Sequence, residues 1–293
     1  MSEQLKATFM LLLAPLFWGV TFPLMHLVLH YCSADFFVFW RFLIAGVLLI
    51  PVLILAIRRR TIGKIDLYYG LAIGLMNCGA FLFQAIALES QKSSSEIAFL
   101  TGINVILVPL FMPLLGMRKP QINEIIAAFI CLFGVFIINN AKFSFSEVDI
   151  LVIFSTICIA IGMILVEKAS LVSKNLQLLT FYQIIFTSII PFAYLKGIVL
   201  PIPSQHIVWF ALGCCAIFAT IVPILLQLKY QHVIGSNKAA IIYSLEAVFA
   251  MVFALLVFGE SITINVVVGG SIIIFSVIYN DIIKLFMTRY IKS

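Results

Sequence analysis

Ten apolar stretches follow one another along this chain with only short polar connections between them. They lie at residues 7–30, 36–57, 67–89, 96–115 and 122–139, and again at 148–167, 177–196, 206–228, 237–258 and 264–284. A run of about twenty apolar residues crosses the roughly 30 Å hydrocarbon core of a bilayer as an α-helix. In lipid the backbone must satisfy its own hydrogen bonds, which leaves helices or closed barrels as spanning structures. These stretches lack the strict alternation of barrel strands, so they are read as helices. Composition agrees, with 63% hydrophobic and 10% charged residues against about 25% charged in soluble domains. The expected fold class is an all-α integral membrane protein with ten transmembrane helices. The first stretch is too long for the apolar region of a cleavable signal, so it is expected to remain as the first span.

The formal net charge of +6 does not mark a nucleic-acid binder, because the basic residues form no patch with interleaved aromatics. They follow membrane topology instead. Counting alternate connections from the N-terminus, one side carries 14 Lys and Arg and the other carries only Lys92, Lys142 and Lys196, while Arg41 lies within a span. Since cytoplasmic loops are enriched in Lys and Arg, both termini are expected in the cytoplasm and the protein in a bacterial-type inner (plasma) membrane.

Chemistry-bearing motifs are missing. The chain has no GxGxxG, P-loop, HExxH, GxSxG or CxxC pattern, and no soluble domain interrupts the apolar stretches. Of the six cysteines, Cys78, Cys131, Cys158, Cys214 and Cys215 fall in apolar runs and Cys32 in a short connection, a distribution that suits packing rather than disulfides or metal. No cofactor or metal is expected, and the expected partners are a small-molecule solute and the lipid bilayer.

The chain also repeats itself. A shift of 142 residues lays SEIAFLTGINVILVPL (95–110) on NKAAIIYSLEAVFAMV (237–252) and FWRF (39–42) on FYQI (181–184). A shift of 143 lays Phe83 and Gln84 on Leu226 and Gln227, and Gly116 on Gly259. The expected organisation is one five-helix repeat over residues 1–140 and a second over 141–293. Because five is odd, the second copy must be inverted relative to the first, which puts a solute site near the midplane between the halves and lets them rock to open either mouth. Gly70 with Gly74 at GxxxG spacing, and Gly269 with Gly270, allow close helix approach.

Several motifs together resemble a known family. WGVTF (18–22), RFLIAG (41–46), AFLTG (98–102) with VPL (108–110), and above all YSLEAVFAMVFALLVFGES (243–261) are similar to patterns of the EamA-type members of the drug/metabolite transporter superfamily. The resemblance runs almost end to end. It implies a secondary carrier, often an exporter, of amino acids, other metabolites or drugs. Two departures stand out: Ala247 occupies the family's usual proline position, which implies a straighter ninth helix, and GMRKP (116–120) replaces a GE pair, leaving Glu260 without a twin in the first repeat.

Ionisable and amide groups inside the bilayer are costly and therefore candidates for function. Glu246 lies mid-span in the ninth stretch, with Asn104 as its partner under the 142 shift; it is the candidate for touching solute or a coupling proton. Asn77, Phe81 and Gln84 succeed one another on much the same face of the third helix. Trp18 lies away from the interfacial belt where Trp is usual, and Tyr182, Gln183 and Tyr243 are further cavity candidates. Arg41 is expected near the outer end of the second helix, snorkelling and paired with Asp35 or Glu89 as a gate or structural charge. Glu167, Lys168 and Glu260 read as solvated helix-end charges, His232 as a solvated loop residue, and His26 as a hydrogen-bonded histidine or proton relay. A uniporter, an exchanger or a channel-like pore fits the same residues. A membrane enzyme would need a clustered nucleophile or metal site, and the sequence contains no such cluster.

Overall fold

The computed structural model describes residues 3–90, 94–139, 146–194, 203–258 and 263–290, and among these every regular element is helical. In the first half these are α1 (Glu3–Val28), α2 (Ala34–Leu48), α3 (Ile50–Arg58), α4 (Lys64–Glu89), α5 (Ser94–Gly102), α6 (Asn104–Leu114) and α7 (Ile122–Asn139). The second half contains α8 (Glu147–Val172), α9 (Leu176–Tyr194), α10 (His206–Ala216), a π-helical turn (Ile217–Ile221), α11 (Val222–Ile234), α12 (Ser236–Tyr243), α13 (Glu246–Phe258) and α14 (Ile264–Tyr290). Among the described residues five helices are long and apolar enough to cross a membrane, and six when the bent pair α2–α3 is counted as one; Phe99–Leu114, Ile122–Ile138, Leu176–Ile189 and Ile264–Tyr279 are shorter apolar helices. Large apolar side chains stand exposed on the outside, among them Phe129, Phe133, Phe154, Phe210 and Phe218. An exterior of that kind belongs to a protein whose solvent is lipid.

Element boundaries recur at the interval found in the sequence. Ala34 and Leu176 begin α2 and α9, Lys64 and His206 begin α4 and α10, Ser94 and Ser236 begin α5 and α12, Asn104 and Glu246 begin α6 and α13, and Ile122 and Ile264 begin α7 and α14. Each pair is 142 residues apart (176 − 34, and the same for the rest).

Among the described residues three apolar stretches are not continuous helices. The second bends by 40° between α2 and α3, where Pro51 in the first turn of α3 cannot donate the bond that would carry the helix through. The fourth breaks at Ile103. The ninth breaks at Ser244 and Leu245, which overturns the straight ninth helix implied by Ala247. No proline is needed there, because the Ser244 hydroxyl donates back to the Ala240 carbonyl at 3.1 Å and Leu245 N–H closes a tight turn on Ile242 O. Such local bonding competes with the helical ladder.

Close approach at glycine fixes the helix pairs. A Cβ at Gly70 would lie 2.4 Å from Tyr182 Cβ, and one at Gly74 2.6 Å from Phe186 Cβ, so the GxxxG face of α4 is the seat of α9. On α7 and α14, Gly134 and Gly269 press backbone to backbone: a Cβ on either would meet the other's carbonyl oxygen within 2.7 Å. Helix α1 packs on α11 and α13, and α4 also lies along α8. One buried core joins Phe37 and Phe42 of α2 to Ile184 of α9 and Leu212 of α10. A second joins Leu11 of α1, Met112 of α6, Val135 of α7, Ile164 of α8, Ile242 of α12 and Ile273 of α14.

Candidate functional site

A proline inside an apolar helix frees the carbonyl four residues before it, because it has no N–H to give. Pro223 does this to Ala219, which sits in the π-helical turn, a distortion common at functional sites. Two side chains from other helices take up the freed oxygen: Trp18 donates Nε1–H to Ala219 O at 3.0 Å and Arg41 donates from Nη2 at 2.8 Å. Arg41 Nε also donates to Thr220 Oγ1 at 2.8 Å, and the Thr220 hydroxyl in turn donates a hydrogen bond to Cys215 O at 2.9 Å. The guanidinium lies over the rings of Phe81 (4.9 Å) and Phe42 (5.6 Å), in cation–π contact.

Arg41 is therefore not the outer, snorkelling residue expected. It is 2% exposed, and neither proposed acidic partner reaches it: Glu89 accepts from Ala34 N–H at the start of α2, and Asp35 from Phe36 N–H. The carboxylate that acts on Arg41 through space is Glu246, a half-buried residue that makes no hydrogen bond among those described and stands first in α13. Trp18 extends the cluster, meeting Tyr243 edge to face at 5.3 Å, and Tyr243 donates to Gln231 Oε1 at 3.3 Å. Trp18, Arg41, Phe81, Tyr243 and Glu246 thus belong to one interior region.

The other sequence candidates form a second, neutral group. Asn77 on α4 donates Nδ2–H to Gln183 Oε1 on α9 at 3.5 Å, and Gln84 donates to Thr101 on α5 at 3.4 Å. Gln183 Nε2 and Asn104 Oδ1 are buried without a hydrogen-bond partner. Tyr182 is placed elsewhere, filling the room left by Gly70 and stacking on Phe186.

Charges expected to be solvated are partly built into the fold. Glu167 is 8% exposed and accepts from both the N–H and the hydroxyl of Ser236 at the start of α12. Lys168 donates to Leu115 O, which caps the end of α6. His232 is half-buried, with Nδ1 buried and unpartnered. Glu260 and the side chain of His26 lie outside the described residues. Sequence reasoning missed Ala219 and Thr220 altogether; the available signal was Pro223 within an apolar stretch.

Comparison with known proteins fits this architecture. The model of the EamA-like transporter family matches residues 5–140 and again 147–280. The chain belongs to the EamA-like transporter family. An uncharacterized transporter of Archaeoglobus fulgidus is 29% identical over 94% of this chain and 86% of its own length. The uncharacterized transporter YyaM of Bacillus subtilis is 24% identical over 94% and 93%. A solved crystal structure shares the fold at a TM-score of 0.75, covering 99% of this chain and all of its own, at 14% identity. As an EamA-like transporter the chain is an integral membrane protein that handles a small-molecule solute.

Proposed function

We propose that this EamA-like chain is a ten-span secondary carrier, of the exporting kind, that moves a small organic metabolite by alternating access with Glu246 as the proton-coupling group. The two inverted five-helix repeats are residues 1–140 and 141–293. One observation supports this reading most. Arg41 on α2 reaches Ala219 on the turn before α11, and Gln183 on α9 meets Asn77 on α4. Moved on by 142 residues, Arg41 becomes Gln183 and Asn77 becomes Ala219, so the two contacts are equivalents across the halves. The shared helix starts and the two family matches support the same repeat.

Inverted repeats place solute sites near the midplane, where helices break. Asn104 and Glu246 each begin the second part of a broken stretch, which supports reading them as equivalent positions of the two halves. Glu246 is a titratable group beside the solute region that makes no ion pair among the described residues, and a carboxyl in that setting can carry a proton between the two mouths. Trp18, Asn77, Phe81, Gln84, Asn104, Tyr243 and Glu246 form the proposed solute surface, and Tyr182 supports it from the α4–α9 contact.

Flux in proteoliposomes with and without an imposed pH gradient tests the coupling. Glu246→Gln keeps size and hydrogen bonding, so the expected result is loss of gradient-driven flux with solute exchange retained. Gradient-driven flux equal to wild type would make Glu246 structural, and flux insensitive to the gradient in the wild type would make the protein a uniporter or exchanger. Topology is tested separately: a single cysteine at Lys64 should be shielded from impermeant reagent in intact cells, and one at Lys142 or Lys196 should react.

A further inference from the structure

Arg41 is the one Lys or Arg that stands away from the ends of the apolar stretches of the sequence, and it is 2% exposed. A guanidinium is always charged and carries five N–H donors. Two are used, on Ala219 O and Thr220 Oγ1, and the ring faces of Phe81 and Phe42 cover its plane. Among the described residues no carboxylate stands within ion-pair distance of it; the ion pair described is Arg118 with Glu124. A cation so enclosed, without a paired anion, holds a strong field in a low-dielectric interior.

The equivalent position in the other half also presents a donor. Gln183 is 1% exposed, and its Nε2 is buried with no acceptor. The two halves thus offer a charged fork and a neutral N–H, both waiting for oxygen acceptors. Resting on the carrier reading above, we propose that the transported solute bears a carboxylate, which seats on the free N–H edge of Arg41, with Gln183 Nε2 as the neutral donor of the other half for a further oxygen of the solute. The planar fork matches a carboxylate in a bidentate arrangement. A phosphate group, with more charge and more oxygens, would call for a second cation, and the sequence places no other Lys or Arg away from the ends of the apolar stretches. Cationic solutes would meet Arg41 as a like charge, and neutral ones would leave its donors unpaired.

The test is thermal unfolding of the purified wild-type protein, Arg41→Gln and Arg41→Lys against a collection of small metabolites. Each carboxylic acid in it is paired with its primary amide. A solute that binds the folded protein raises its Tm by mass action. Stabilisation is expected from acids and not from their amides. Arg41→Gln should weaken acid binding on the order of 100-fold. Arg41→Lys, which keeps the charge but lacks the fork, should weaken it about tenfold while still rejecting amides, and this variant decides the matter if the Gln protein fails to fold. Amides or cationic amines that stabilise the wild type as well as acids do, or acids that bind the Lys variant as tightly as wild type, would overturn the inference and leave the carrier reading standing. A collection in which no solute stabilises the wild type would overturn both.

Discussion

Ser236 donates both its backbone N–H, at 2.6 Å, and its hydroxyl to the same carboxylate oxygen of Glu167. The two residues lie 69 positions apart, so this contact ties the C-terminal end of α8 to the start of α12. An acidic group at a helix N-terminus satisfies free N–H donors and complements the helix dipole. Gln231 reinforces the joint, donating to Met163 O at 2.7 Å and to Ser236 Oγ at 3.1 Å.

Removing the hydroxyl with Ser236→Ala is expected to cost about 1 kcal/mol, and Glu167→Ala about 3 kcal/mol, because the second change strands two buried donors. Thermal unfolding in detergent measures both. The double variant should cost less than the two separately, and strict additivity would show that the two groups do not act together.

Pro223 is expected to matter through what it lacks. Pro223→Ala restores an N–H that can claim Ala219 O, in competition with Trp18 and Arg41. The expected outcome is a helix at least as stable and a transport rate reduced by about tenfold or more, together with a change in Trp18 emission. To read that emission alone, Trp40 and Trp209, which pack edge to face at 5.4 Å, are replaced by Phe. Unaltered emission and flux would show that the freed carbonyl is not what positions the Arg41 region.

Glycines on helix faces should separate sharply by surroundings. At Gly74 a Cβ would lie 2.6 Å from Phe186 Cβ and 2.9 Å from Gln183 O, so Gly74→Ala should destabilise by about 1–3 kcal/mol through overpacking of α4 on α9. Gly213 has nothing within 4 Å of its added Cβ. Gly213→Ala should be neutral or stabilise by up to about 1 kcal/mol from helix propensity. Equal effects at the two positions, in the same unfolding assay, would contradict the packing described.

Cys32, in the connection between α1 and α2, should resist thiol reagents. Burial first, then the charges of Glu89 and Asp35, push its thiol from 9.0 up to about 12. The thiolate is the reactive form, so a raised pKa lowers reactivity at any pH below it. In a variant keeping only this cysteine, maleimide labelling at pH 7–8 should run about 1000-fold slower than at an ordinary thiol and rise about tenfold per pH unit. Glu89→Gln should recover part of the rate, since burial remains. A rate equal to that of a free thiol would place Cys32 in the open.

The sequence by itself determined that this chain lives in lipid, that it is helical, and that its motifs recur at a shift of 142 residues. Those are properties of local patterning: apolar run length, the lack of alternation, and the spacing of polar punctuation between runs. It also picked out Glu246 and Asn104, because a polar residue in the middle of an apolar run is visible without knowing its neighbours. A close-approach face was legible in the same way through Gly70 and Gly74, but that α9 fills it was not. What only the tertiary structure decided is which group answers which. Arg41 looked like an interfacial charge because its distance from a helix end is local information, whereas its acceptors, Ala219 and Thr220, come from a helix 178 and 179 positions away. Glu167 looked solvated for the same reason until Ser236 was brought against it. Even the break after Tyr243 escaped the sequence, since proline was the expected signal and a serine hydroxyl bonding back to Ala240 does the work instead. Hydropathy records whether a side chain must leave water; the partner that then satisfies it is set by how the helices pack.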